Sequence, residues 1–132
     1  MRRFDDLARR VAGELAVRNA ILDGEIVVMG ERGPDFYALM FRRGVPYFAA
    51  FDLLWRNGRD LRRCAYDARK AALRRLLDRR LAHVSYVETH RDAELFDAVQ
   101  RMDLEGVVAK HRCDAYAPGS RWVKVKCRCV SF

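Results

Sequence analysis

The run from Val45 to Trp55 (VPYFAAFDLLW) is almost wholly apolar and is interrupted by one carboxylate, Asp52. Closed by Asn57-Gly58, it reads as a long apolar strand followed by a tight turn. A charge in the middle of such a strand demands a partner, because a buried carboxylate left alone is costly. Phe51, one residue earlier, points to the opposite face, where core packing is its ordinary role. A chain of 132 residues closes only one core, so residues 1–132 are expected to form a single domain around this strand.

The remaining elements follow from periodicity and punctuation. Phe4, Leu7, Ala8, Val11 and Leu15 recur at helical spacing, with Asp5 and Asp6 in the first turn and an end near Asn19. Ala20 to Met29 is a mostly buried strand rich in β-branched residues, closed by Gly30 and Gly33-Pro34. Asp35 is placed to cap a short helix through Phe36, Leu39, Met40 and Phe41, stopped by Gly44. Asp67 is placed to cap a basic helix that turns Ala71, Leu73, Leu76, Leu77 and Leu81 toward the core, which leaves Lys70 on its surface. Val84 to Val87 is a short strand, and Asp92 opens a helix with Leu95, Phe96, Val99 and Met102 on one face. Strands Gly106 to His111 and Arg121 to Cys127 flank the polar loop Arg112 to Ser120. This order predicts an α+β or mixed α/β domain with a sheet covered by helices.

The formal charge of +8 and a pI near 9.8 favour polyanionic partners, nucleic acid first. Composition bias is the competing explanation, since the arginines fall in scattered pairs such as Arg9-Arg10, Arg42-Arg43, Arg62-Arg63, Arg74-Arg75 and Arg79-Arg80. Lysine is scarce: Lys70, Lys110, Lys124 and Lys126 are the whole supply. Without a secretory signal, Cys64, Cys113, Cys127 and Cys129 read as reduced thiols. The one-residue gaps among His111, Cys113, Cys127 and Cys129 do not match the spacing of structural zinc ligands. No apolar run approaches the roughly 20 residues that span a bilayer, and acidic residues stand where a signal peptide is apolar, so the expected location is the cytoplasm.

Three clusters bring charge into or beside strands. Asp23-Gly24-Glu25 lies inside an apolar strand, where a carboxylate left unpaired in the core would be costly, so at least one is expected to face a polar site; a solvated strand end is the plainer alternative. Lys124 and Lys126, two apart in the last strand, share one face with Trp122, while Val123 and Val125 take the other. Like charges side by side repel unless an anion sits between them, and phosphate is the natural anion. Two lysines on a solvated face would look the same. Glu105 precedes Gly106 to Lys110, and its hard oxygen suits Mg2+.

In this order, D-G-E (Asp23 to Glu25), F-D-L-L (Phe51 to Leu54), E-G-V-V-x-K (Glu105 to Lys110) and K-x-K (Lys124 to Lys126) resemble the covalent nucleotidyltransferases, and among them the ATP-dependent DNA ligases. Asp60 to Lys70 and the loop Tyr116 to Ser120 are similar to the ligase domains of bacterial end-joining enzymes. The resemblance implies the nucleotidyltransferase (ATP-grasp-like) adenylation fold. It gives ribose contact to Glu25, adenine stacking to Phe51, metal binding to Glu105 and phosphate contact to Lys124 and Lys126, with Lys110 ending its motif. ATP and Mg2+ are the implied cofactors and nicked or broken duplex DNA the implied partner. The family's nucleophile is the lysine of K-x-D-G, upstream of D-G-E, and residues 1–22 hold no lysine. The expectation is a partial adenylation domain without its OB-fold, unable to adenylate itself, whose missing motifs a separate chain would supply. A noncatalytic basic nucleic-acid-binding module, or a remnant of a split ligase gene, is the alternative.

Overall fold

The computed structural model describes residues 4–31, 33–102 and 104–127. Cys129 lies outside them. In chain order the elements are α1 (Asp5–Glu14), β1 (Ala20–Val27), β2 (Met29–Gly30), β3 (Gly33–Pro34), α2 (Phe36–Met40) and β4 (Tyr47–Arg56). There follow β5 (Arg59–Asp60), α3 (Tyr66–Leu76), β6 (Val84–Tyr86), α4 (Glu94–Arg101), β7 (Gly106–Lys110) and β8 (Trp122–Lys126). The expected mixed α/β class is what forms.

β4 is the spine. β1 pairs with it antiparallel along its length, β6 runs parallel to its first half, and β5 returns along its end. The apolar residues of β4 and α3 meet in a core of Ala50, Leu53, Leu61, Leu73, Leu76, Leu77 and Val84, and removal of that surface from water is the main force holding α3 on the sheet. β7 and β8 form a separate antiparallel ribbon.

Several element ends move from their expected places for visible reasons. α1 stops at Glu14, because Leu15 is already extended and the Glu14 carboxylate turns to His83. Asn19 instead receives Trp55 Nε1 at 2.9 Å and Gly58 N at 3.3 Å, tying the start of β1 to the turn after β4. β4 begins at Tyr47, after Pro46, which has no N–H to give a ladder. Asp35 does cap α2, accepting from Ala38 N at 2.8 Å.

Asp67 does not cap α3. It sits in the first turn and pairs with Arg112 at 2.6 Å, while Ala65 takes the cap position. Ala71 is exposed and Ala72 packs toward the core in its place. Leu81 reaches the core from beyond the helix end. α4 has Ala93 rather than Asp92 at its cap position, buries Val99 and leaves Met102 exposed. No helix among the described residues is long and apolar enough to cross a membrane.

Candidate nucleotide and phosphate site

Asp52 finds its partner. It is fully buried, and Arg69 of α3 donates from Nε to Oδ1 at 2.8 Å and from Nη2 to Oδ2 at 2.9 Å. Two parallel charge-assisted bonds fix both groups. Arg69 Nη1 then donates to the carbonyls of Cys64 at 2.7 Å and Asp114 at 3.0 Å. No buried side-chain polar atom among the described residues lacks a partner.

Lys70, expected on the surface, is 5% exposed. The stripe that faces the sheet runs Tyr66, Arg69, Lys70, Leu73 and Leu76, so two cations occupy core-facing helical positions. Lys70 Nζ donates to Val87 O at 2.6 Å and Phe51 O at 3.1 Å, where β6 parts from β4. It also lies 4.1 Å from the centre of the Tyr86 ring. Burial pushes its ammonium down to about 8.

The D-G-E strand runs beside this region. The register passes from Asp23 opposite Asp52 to Gly24 opposite Ala50, which leaves Phe51 as the extra residue of a bulge. A bulge re-aims the side chain it carries. Any Cβ at Gly24 would collide with the Ala49 carbonyl and the Phe48 ring, so the close strand approach requires glycine. Glu25 is exposed opposite Ala49, and Phe51 is half-buried. Asp23 accepts from the Tyr116 hydroxyl at 3.1 Å.

Glu105, Lys124 and Lys126 come together on the ribbon. Lys124 Nζ lies 2.7 Å and Lys126 Nζ 3.9 Å from the same oxygen, Glu105 Oε1. An internal carboxylate thus stands where the lysine spacing calls for an anion. The bond from Lys124 holds the Glu105 carboxyl below its usual range. All three side chains are more than half exposed, so the cluster adds little stability. By register Lys110, Trp122, Lys124 and Lys126 share one face.

Lys110 is half-buried and lies near two rings, 4.1 Å from the centre of Trp122 and 5.3 Å from that of Tyr66. Burial lowers its pKa, with Asp52 and Asp23 opposing the shift. Glu25 and Phe51 stand on the main sheet, and Glu105, Lys110, Lys124 and Lys126 on the ribbon.

Residue patterns alone did not reveal Arg69 as the partner of Asp52, Lys70 as a buried cation, or Tyr116 as the contact of Asp23. The signal for the first two was the apolar stripe of α3 read through its charged positions. Tyr116 carried none, lying in a polar loop. Cys64, Cys113 and Cys127 are free thiols, and no group of three or more His, Cys, Asp or Glu side chains among the described residues gathers as a metal site.

Comparison with known proteins gives the family and the fold. The family model described as "ATP dependent DNA ligase domain" matches residues 1–126. The multifunctional non-homologous end joining protein LigD of Mycolicibacterium smegmatis is 35% identical over 124 residues, covering 89% of this chain and 16% of that protein. LigD of Pseudomonas aeruginosa is 35% identical over 139 residues, covering 96% of this chain and 16% of that protein. The crystal structure of the ligase domain of M. tuberculosis LigD superposes with a TM-score of 0.71 at 33% identity, over 95% of this chain and 42% of that one. A mycobacterial DNA ligase D complexed with ATP and MES gives 0.70 at 33% identity, over 93% and 42%. The fold is that of the nucleotidyltransferases. The chain belongs to the ATP-dependent DNA ligase domain family, and it spans a small part of the length of its LigD relatives.

Proposed function

We propose that this chain is a partial adenylation domain that supplies the nucleotide- and phosphate-facing part of an ATP-dependent DNA ligase. The carrying observation is the pair Lys124 and Lys126, which point from one exposed ribbon face and meet at one oxygen of Glu105. In this reading Phe51 stacks on adenine, Glu25 receives the ribose hydroxyl, and Lys110, Lys124 and Lys126 face the phosphates. The bulge that aims Phe51 and the exposure of Glu25 support those assignments.

Glu105 offers one hard carboxylate oxygen, which fits Mg2+, an ion that takes one or two carboxylates and fills its shell with water and phosphate oxygen. When bound, the ion neutralises charge on departing pyrophosphate. The residues of the chain do the rest: Lys124 and Lys126 orient the phosphates and stabilise the same charge, and Phe51 keeps water from one face of the base. The acceptor of AMP is the lysine of K-x-D-G. It would come from outside residues 1–22, either in the same polypeptide or in a separate chain, so these residues alone form no enzyme-AMP. Nicked or broken duplex DNA is the proposed polyanionic partner, in the cytoplasm, and the +8 charge supports it.

Thermal shift with millimolar ATP tests the site, since a ligand of the folded state raises its stability. ATP should stabilise the wild type and leave the Lys124→Ala, Lys126→Ala double variant unmoved. A folded wild type that ATP does not stabilise would count against the reading. Labelled ATP with Mg2+ should leave no acid-stable AMP on the purified chain, and a stoichiometric adduct would refute the absent-nucleophile part.

A further inference from the structure

We infer that Tyr116 is a positioning residue: it joins the D-G-E strand to the lysine ribbon and so sets the spacing between the two halves of the nucleotide site. The inference rests on the reading of that site given above.

Among the described residues the ribbon has no ladder to the main sheet. Its looped end is held by the segment after β7, where Arg112 pairs with Asp67 and the Asp114 carbonyl accepts from Arg69, and Tyr116 lies at the middle of that loop. Its backbone N donates to Arg62 O at 2.8 Å, and its hydroxyl donates to Asp23 Oδ2 at 3.1 Å, one residue from Gly24 and two from Glu25. Its ring meets Trp122, the first residue of β8, edge to face at 5.2 Å. The guanidinium of Arg69 lies 5.7 Å from the same ring. One side chain therefore touches β1, the head of the strand that carries Lys124 and Lys126, and the cation that holds Asp52 beside Phe51.

Each contact is directional. An edge-to-face pair and a cation over a ring constrain both distance and tilt, and a hydroxyl bonded to a carboxylate fixes the third point. Lys110, packed between Trp122 and Tyr66, continues the stack on the ribbon side. The opposite end of the ribbon carries Glu105 and Lys126. A small change of angle at Tyr116 is thus magnified along β8 at the lysines.

The test is a distance measurement between spin labels on exposed positions of the two sheets, Ile21→Cys on β1 and Val123→Cys on β8. The background has Cys64, Cys113, Cys127 and Cys129 changed to Ala and its fold checked by circular dichroism. The parent should give one narrow distance distribution. Tyr116→Phe keeps the ring and loses the bond to Asp23, and should broaden or shift the distribution with unchanged helical signal. Tyr116→Ala should do so further, and if it does not fold, Tyr116→Phe decides. ATP titrated into the same proteins should bind Tyr116→Phe about tenfold more weakly, the scale of one lost charge-assisted bond. A distribution unchanged in the folded variants overturns the inference, whatever happens to ATP. Looser distances in the variants, with a parent that binds no ATP, would uphold the joint and overturn the nucleotide reading instead.

Discussion

Arg69 grips both oxygens of Asp52 inside the core, at 2.8 and 2.9 Å, with neither side chain reaching solvent. Removing one partner leaves the other charge buried and uncompensated, which costs about 3–5 kcal/mol. Asp52→Ala and Arg69→Met should each lower stability by that order in urea unfolding. The double variant should lose less than the sum of the two, because the second change removes a charge already without its partner. Additive losses would show that the pair is not coupled.

Lys70 makes stability rise with alkali over a defined window. Its folded value is about 8 against an ordinary 10.5, so between those values the unfolded chain holds a proton that the folded chain has shed. Stability therefore increases with pH there. Lys110 is shifted the same way. Tyr66 opposes them higher up: burial raises it from 10.0 to about 12, so the unfolded chain loses its proton first and stability falls above about 10. The urea midpoint should climb from about pH 8 to a maximum near pH 10, and Lys70→Met should flatten most of the climb.

At the acid end the bond from His83 holds Glu14 below its usual 4.5. A depressed carboxyl contributes stability that is present above the unfolded value and lost as pH falls through the folded one. Glu14→Gln should accordingly be less stable than wild type at neutral pH. The two proteins should converge in thermal melts as the pH is lowered past the carboxylate range.

Glu105→Gln should leave the melting temperature nearly unchanged, since exposed ion pairs contribute about 0–1 kcal/mol. In a metal-free titration it should bind pyrophosphate more tightly than wild type, because Lys124 and Lys126 no longer hold a carboxylate of their own. Weaker metal-free binding would mean that Glu105 assists the anion directly.

How far these features could be read in the sequence differs with range. β1, β4, the Asn57-Gly58 turn and the cap of α2 were legible, because apolar runs and turn residues encode them locally. The need of Asp52 for a partner was legible too, but not its identity, since Arg69 is brought to it by packing of α3. Lys70 was misjudged because charge on a helix ordinarily marks the wet side; two bond acceptors at a strand fork outweigh that rule here. The bulge at Phe51 and the Asp23 to Tyr116 bond depend on register and on a loop 93 positions away, which no local pattern carries.

If the proposed site holds phosphate and Mg2+, the single oxygen of Glu105 shared by Lys124 and Lys126 would couple the two ions. An anion that draws both ammonium groups to itself sets the carboxylate free, and a divalent cation that takes the carboxylate sets both ammonium groups free. In the proposed reading each occupant would remove the obstacle to the other, and thermodynamics would make the effect reciprocal: by whatever factor Mg2+ tightened pyrophosphate, pyrophosphate would tighten Mg2+. With neither present, Glu105 offsets one of the two ammonium charges, so the cluster shows the solvent a salt bridge with one cation in excess instead of two bare cations.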